Sequence, residues 1–355
     1  MKLRLLLVLA ACAAGAALPA SPGEPSLAAV TNAHPALPLH LRDTGLYATG
    51  SAGTPRDGVI PFSPQYPLWS DGARKRRWLY LPPGTAIDAS RPDAWEFPRG
   101  TRVWKEFSHG GPIETRFIER LADGSWRYAT YVWNAEGTDA VLAPAEGTSI
   151  ARSDVPGGRY VVPSREDCLA CHEGSTVPLL GVSALQLSPD RDAAAAHAEP
   201  VRTDHADLRT LVARGWIRNL PRPLLDTPPR ISAPTPLGRA ALGYLHGNCG
   251  HCHNDSGALA GLDLALAQQA GDARGSSRRT LESLIGRTGR FRSETAQQRV
   301  VPGQAAASVI AMRMRSTSPL ARMPPLGVQV IDDEGLALVL RWIEHDLQQP
   351  MEPSR

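Results

Sequence analysis

The chain is poor in aromatic residues, 6% of the total, and almost without lysine, which stands only at positions 2, 75 and 105. Beyond its first twenty residues no stretch approaches the roughly 20 apolar residues that a membrane-spanning helix needs, so no transmembrane helix is expected. It also lacks an excess of either charge. The formal net charge is +3, and loss of the first twenty residues, which hold Lys2 and Arg4 and no acid, would lower it to +1. No one-signed field remains to attract nucleic acid or an anionic membrane surface, which excludes both as partners held by charge. Glycine and proline, 32 of each, are too frequent for coiled coils or long helical bundles and predict many short elements joined by ordered loops. A length of 355 residues favours two domains.

What is present begins with a leader. Met1 to Arg4 form a positive n-region, Leu5 to Ala11 an apolar stretch and Ala13 to Ala20 a run of small residues, the pattern of a secretory signal peptide over residues 1–20. Two cleavage sites compete. Cleavage after Ala20 gives a soluble periplasmic protein, whereas Leu9-Ala10-Ala11-Cys12 resembles a lipobox, which would leave a lipid on Cys12 as the sole membrane attachment.

Five cysteines in an exported chain would ordinarily suggest disulfides. Their spacing argues otherwise. Apart from Cys12 they fall as Cys168-Leu169-Ala170-Cys171-His172 and Cys249-Gly250-His251-Cys252-His253, two copies of C-x-x-C-H. In such a site the two thiols add across the vinyl groups of haem to form thioethers, and the adjoining histidine reaches the iron. At this chain's own Cys and His frequencies one such pattern arises by chance with probability on the order of two in a thousand, and two far more rarely. A zinc site would pair the C-x-x-C units at a shorter interval than the 77 residues between Cys171 and Cys249, and would leave both histidines unexplained. The expected cofactors are therefore two covalently attached haem c groups, on Cys168, Cys171 and His172 and on Cys249, Cys252 and His253.

The second axial position of each iron decides between electron transfer and catalysis. Met323 lies in Arg322-Met323-Pro324-Pro325-Leu326-Gly327, where the prolines stiffen a loop, and it is expected to ligate the second haem opposite His253. Met314 is a weaker candidate that also fits helix core beside Val309 and Ile310. The first haem has no methionine nearby. Its sixth position falls to His109, His197, His205 or His246, to Met314, or to no residue.

Residues 21–45 read as a lead-in or tether, residues 46–175 as a β-rich domain ending in the first haem site, residues 176–235 as a helical and proline-rich connection, and residues 236–348 as a helical haem domain. Strand signals cover Arg77 to Leu81, Thr101 to Phe107, Ile113 to Leu121, Ser125 to Trp133 and Arg159 to Val162, separated by turns such as Pro82-Pro83-Gly84. Six of the eight tryptophans lie between Trp69 and Val162, which predicts an antiparallel meander with an aromatic core. Glu114 and Arg116 share one strand face with Thr115 on the other, and the charges suggest a solvated face. Arg74 to Arg77 read as a solvated loop entering a strand. Helices are expected at His205–Trp216 and Pro236–Gly247, and from Asp332-Asp333 to about Leu347 with Leu336, Val339, Leu340 and Ile343 on one side. The fold class is α+β, the first haem in an N-terminal antiparallel β-rich domain and the second in an all-α domain.

The C-terminal part resembles a class I cytochrome c domain: Gly243-Tyr244 ahead of the second C-x-x-C-H, then Met323-Pro324-Pro325 and Trp342-Ile343. The resemblance implies packing of the first helix on the last near a small residue, for which Gly243 is the candidate, His/Met ligation, and an insertion at about 262–300. From Tyr66 onward the chain resembles a group of exported diheme c-type cytochromes. Tyr66-Pro67-Leu68-Trp69-Ser70-Asp71-Gly72, Phe97-Pro98-Arg99-Gly100-Thr101, Glu114-Thr115-Arg116, Tyr131-Val132-Trp133-Asn134 and both haem sites carry that likeness. It implies a periplasmic electron carrier with a redox partner protein, or a peroxidase-like oxidoreductase whose first haem is open.

Overall fold

Alternation of apolar and polar residues along the Trp-rich segment builds a meander. The computed structural model describes residues 35–49, 51, 53–200 and 202–348. The leader, Cys12 and Met351 lie outside the described residues. The strands are β1 (Val59–Pro61), β2 (Arg74–Tyr80), β3 (Ile87–Asp88), β4 (Arg102–His109), β5 (Gly111–Arg120), β6 (Trp126–Trp133), β7 (Ala140–Leu142), β8 (Thr148–Ala151), β9 (Arg159–Val162) and β10 (Ile217–Arg218). Six of them form one antiparallel sheet in the order β1-β2-β4-β5-β6-β7. β8 pairs with β9, and β3 pairs in parallel with β10.

The register assigns the two faces. Trp78, Trp104 and Phe117 lie in one row. With Tyr131 and Trp133 they make an aromatic cluster closed by Leu41, Leu46 and Tyr47. On the opposite face Leu79 and Val103 belong to the main core, while Lys75, Arg77, Lys105, Glu114 and Arg116 occupy the rows beyond them.

The helices are α1 (Arg165–His172), α2 (Leu208–Ala213), α3 (Pro223–Asp226), α4 (Pro236–Asn248), α5 (Ala273–Leu284), α6 (Val309–Arg315) and α7 (Asp333–Arg341), the last continuing as a wider turn over Trp342–Asp346. Their starts are written in capping residues. Ser164 and Asp167 form a reciprocal capping box on α1, Thr235 caps α4 with Pro236 in its first turn, and Asp332 caps α7. α4 packs against α7 and the turn that follows it. Leu242, Leu245, Val339, Trp342 and Ile343 are buried there in the same cluster that holds Leu79 and Val103 of the sheet. Mixed α and β content with an antiparallel sheet is thus as the sequence predicts. The stretch 262–300 contains α5 and a return whose Ile285 bridges Val300. No described helix is long and apolar enough to cross a membrane.

Three expectations are corrected. Arg74 to Arg77 are strand residues, not a solvated loop: Arg77 is buried against Glu199 at 2.7 Å, and Arg76 grips the buried Glu106 at 2.8 Å. Glu114 and Thr115 are fully buried, so the alternation was right and the solvation was not. Gly243 does receive an aromatic ring in its notch, but the ring is that of Tyr66. A Cβ at Gly243 would lie 2.0 Å from Tyr66 Cε1. The contact between α4 and α7 is made instead at Gly335, where a Cβ would lie 2.2 Å from Tyr244 Cε2.

Candidate functional site

The two C-x-x-C-H segments, separated by 76 residues in sequence, meet in space. Ligand atoms of Cys171, His251 and Cys252 all lie within 4.8 Å of one another. Asn254 clamps the junction, its Nδ2 donating to the carbonyls of Gly174 (2.9 Å), Gly250 (3.0 Å) and His251 (3.0 Å). The approach is close enough that a Cβ at Gly257 would fall 2.4 Å from the Gly174 carbonyl. No feature of the sequence pointed to this convergence. All four cysteines are free.

The first motif lies on α1, which packs against β6. His172 Nδ1 is 2.5 Å from the Pro178 carbonyl, and a carbonyl only accepts, so Nδ1 carries the proton and Nε2 keeps its lone pair. The Tyr128 ring packs at 5.4 Å from the imidazole. Burial pushes the His172 pKa down to about 4, so the ring is neutral at pH 7. Cys168 lies within electrostatic reach of Glu114 and Arg116, and burial raises its thiol pKa. The Cys171 thiol is pushed up to about 12, first by its hydrogen bond to Cys252 and then by burial.

The second motif follows α4 directly. The Cys249 amide still donates to Leu245, and burial pushes its thiol up to about 12. His253 is neutral for the same reason as His172, held down to about 4 by burial, with Arg313 adding to the effect. Its Nδ1 is buried without a partner among the described residues.

Met314 and Met323 line one small cavity together with Trp69, Tyr244 and Asn248. The loop bearing Met323 is pinned at both ends. Met323 N donates to Arg313 O at 3.1 Å, and the Asp71 carboxylate accepts from the amides of Gln329 and Val330. The segment Tyr66 to Gly72 therefore ties the parts together: Tyr66 fills the Gly243 notch, Trp69 N donates to Asn248 Oδ1 at 2.7 Å beside Cys249, and Asp71 holds the methionine loop.

The four histidine candidates for the first haem differ in what their nitrogens do. His197 gives Nε2 to Asp332 at 2.8 Å and Nδ1 to Glu334 at 3.2 Å, so both nitrogens are engaged, and Trp69 stacks on its ring. His246 Nδ1 accepts from Gln268 N at 3.0 Å, which puts the proton of the neutral ring on Nε2 and leaves no free lone pair. His205 bonds Ser63 at 3.0 Å. His109 alone has a buried, unpartnered Nε2.

Sequence reasoning missed Pro178, Asn254, Trp69 and Asp71 as parts of the site. Only the last two left a signal, since their segment is among those that carry the resemblance. No known family, no curated protein and no solved structure matches the chain.

Proposed function

We propose that this protein is an exported diheme c-type cytochrome that moves electrons in the periplasm, from or to a redox partner protein, through two covalently attached haems. The reading is carried by the convergence of the two C-x-x-C-H segments, which would bring both attachment points into one contact. The residues fit the group. Four unpaired cysteines stand in two thioether-forming pairs. His172 is oriented by a backbone carbonyl with Nε2 available, the arrangement that fixes a ligating histidine's tautomer. His253 has a buried Nδ1 without a partner among the described residues. Each haem, when bound, supplies a one-electron iron couple whose potential is set by its axial ligands and surroundings.

The chain's own contribution is attachment, orientation and exclusion of water. Cys168 and Cys171 would hold one group and Cys249 and Cys252 the other. His172 and His253 would bind from one side. Met323 would face the second group from a loop held by Asp71 and Arg313, with Met314 lining the same cavity, as expected of a class I cytochrome c domain.

A second reading, a peroxidase-like oxidoreductase with an open first haem, is favoured by the ligand supply: of the four histidine candidates His197 and His246 have no free lone pair, and the sequence holds no methionine between Met1 and Met312.

The test is haem content of the holoprotein expressed with an export signal and haem-attachment machinery. Two haems per chain, reduced to one by Cys168→Ala/Cys171→Ala and to one by Cys249→Ala/Cys252→Ala, is the expected result. A single metal ion held by Cys171, His251 and Cys252 in place of haem would overturn it. Cyanide and carbon monoxide then separate the two readings: no uptake by either iron supports the carrier, and uptake by one supports the enzyme.

A further inference from the structure

The sheet face beside His172 carries more positive charge than its neighbours neutralise. β4 places Lys105 in register with Arg77 of β2 and Arg116 of β5. Same-face residues recur every second position, so this row lies next to the one containing Val103, Ile118 and Tyr128, and the Tyr128 ring packs on His172. Arg116 is neutralised by Glu114 at 2.6 Å and Arg77 by Glu199 at 2.7 Å. Lys75 donates to the Leu68 carbonyl. Lys105 has no hydrogen bond and no ion pair among the described residues, and of the carboxylates Glu199, already paired with Arg77, acts on it from a distance; its ammonium rests 4.8 Å from the Phe107 ring centroid, and Arg116 takes the same ring at 4.3 Å. Lys105 and Arg116 both bear electrostatically on His172.

A half-buried ammonium among like charges is unfavourable unless an anion completes it. Burial first, then the nearby Arg77, Arg116 and Lys75, press the Lys105 pKa well below its ordinary value, with Glu199 opposing them in part, a strain that an anion would relieve. On the second reading, in which the first haem is open, we infer that Lys105 forms an anion subsite at the first haem, holding a small inorganic anion of the size of nitrite or azide against the group bound by His172.

The experiment uses the ferric holoprotein titrated with azide and with nitrite, and the ferrous form titrated with carbon monoxide as the neutral control. Lys105→Met keeps the aliphatic stem and removes the charge. Loss of one charge-assisted hydrogen bond predicts at least about tenfold weaker anion binding, with carbon monoxide affinity unchanged within about twofold and partial recovery in Lys105→Arg. Equal effects on anions and carbon monoxide, or none on either, would overturn the subsite. So would a shift in one midpoint potential with unchanged anion affinity, which would make Lys105 the counter-charge of a haem propionate. A wild-type protein with two haems that takes up no anion removes the subsite while sparing the two-haem reading; a chain without haem removes both. Urea midpoints of the variants no lower than wild type's establish that folding is intact.

Discussion

Glu114→Gln tests the electrostatic floor under the first motif. Glu114 is fully buried, and a single oxygen, Oε1, accepts from Arg116 Nε at 2.7 Å, Arg116 Nη2 at 2.6 Å and Tyr160 OH at 3.0 Å. Burial is the largest single influence on the Arg116 guanidinium and works against it; the Glu114 charge and hydrogen bond, with Tyr160 and Cys168, together outweigh it. Glutamine keeps the volume and an acceptor for Tyr160 but leaves Arg116 uncompensated beside Lys105 and Arg77. Removing one partner of a buried pair costs about 3–5 kcal/mol. Arg116 keeps 25% of its side-chain surface in water, which places the expectation at the lower end, about 3 kcal/mol. That is a large share of the 5–15 kcal/mol typical of folded proteins. Urea unfolding followed by tryptophan fluorescence measures it, and the double variant Glu114→Leu/Arg116→Met separates charge from packing. The double variant should lose less than the single, because no orphan charge remains. A loss below about 1 kcal/mol for Glu114→Gln, or an equal loss in the double variant, would refute the pairing argument.

Three further outcomes follow from other sites. Burial holds His246 at about pKa 4 against about 6.5 unfolded, so the unfolded chain binds more protons between those values and stability falls as pH drops through that window. The His246 share is roughly 3 kcal/mol, and His246→Asn, which retains an acceptor for Gln268 N, should flatten the pH dependence of the urea midpoint from 6.5 to 4; an unchanged slope would contradict it. Gly243→Ala drives a methyl into the Tyr66 ring and breaks the 3.1 Å bond from Tyr66 OH to Asp192. Overpacking outweighs the gain in helix propensity, for a net loss of about 2 kcal/mol by thermal or chemical unfolding, and a stabilised variant would show that Tyr66 does not occupy the notch. On the two-haem reading, Met323→Leu should change the absorption spectrum and lower the midpoint potential of one haem alone, while Met314→Leu leaves both in place; the reverse pattern would assign the proposed ligand role to Met314.

The strands and the terminal helix were legible because each depends on a short window. Two-residue alternation marks Trp126–Trp133, and Asp332 with Leu336, Val339 and Ile343 marks α7. What failed depends on partners far along the chain. Arg77 looks like part of a solvated charge run until Glu199, 122 positions away, is folded over it. Glu114 looks exposed until Tyr160 closes on it from β9. Gly243 was marked as a place for close approach only by the resemblance to a class I cytochrome c domain, and periodicity within α4 cannot say that the incoming ring comes from Tyr66. The two motifs were each plain in sequence, and their meeting was not, since it requires Asn254 to span from one to the Gly174 carbonyl after the other.

That meeting also limits how independently the two sites can behave. His251 occupies the variable part of the second motif, yet its ligand atom lies within 4.8 Å of the Cys171 and Cys252 sulfurs. It acts electrostatically on both His172 and His253. A charge introduced at His251 therefore reaches both histidines, and in a medium of low dielectric constant such coupling is stronger than in water at the same distance. On the two-haem reading, oxidation of either group would raise the potential of the other, because added positive charge disfavours a second oxidation. A carrier built this way takes up its two electrons at separated potentials even if both sites had identical ligands. Two superimposed one-electron waves in the holoprotein would argue that the attachment points do not lie together as they do here.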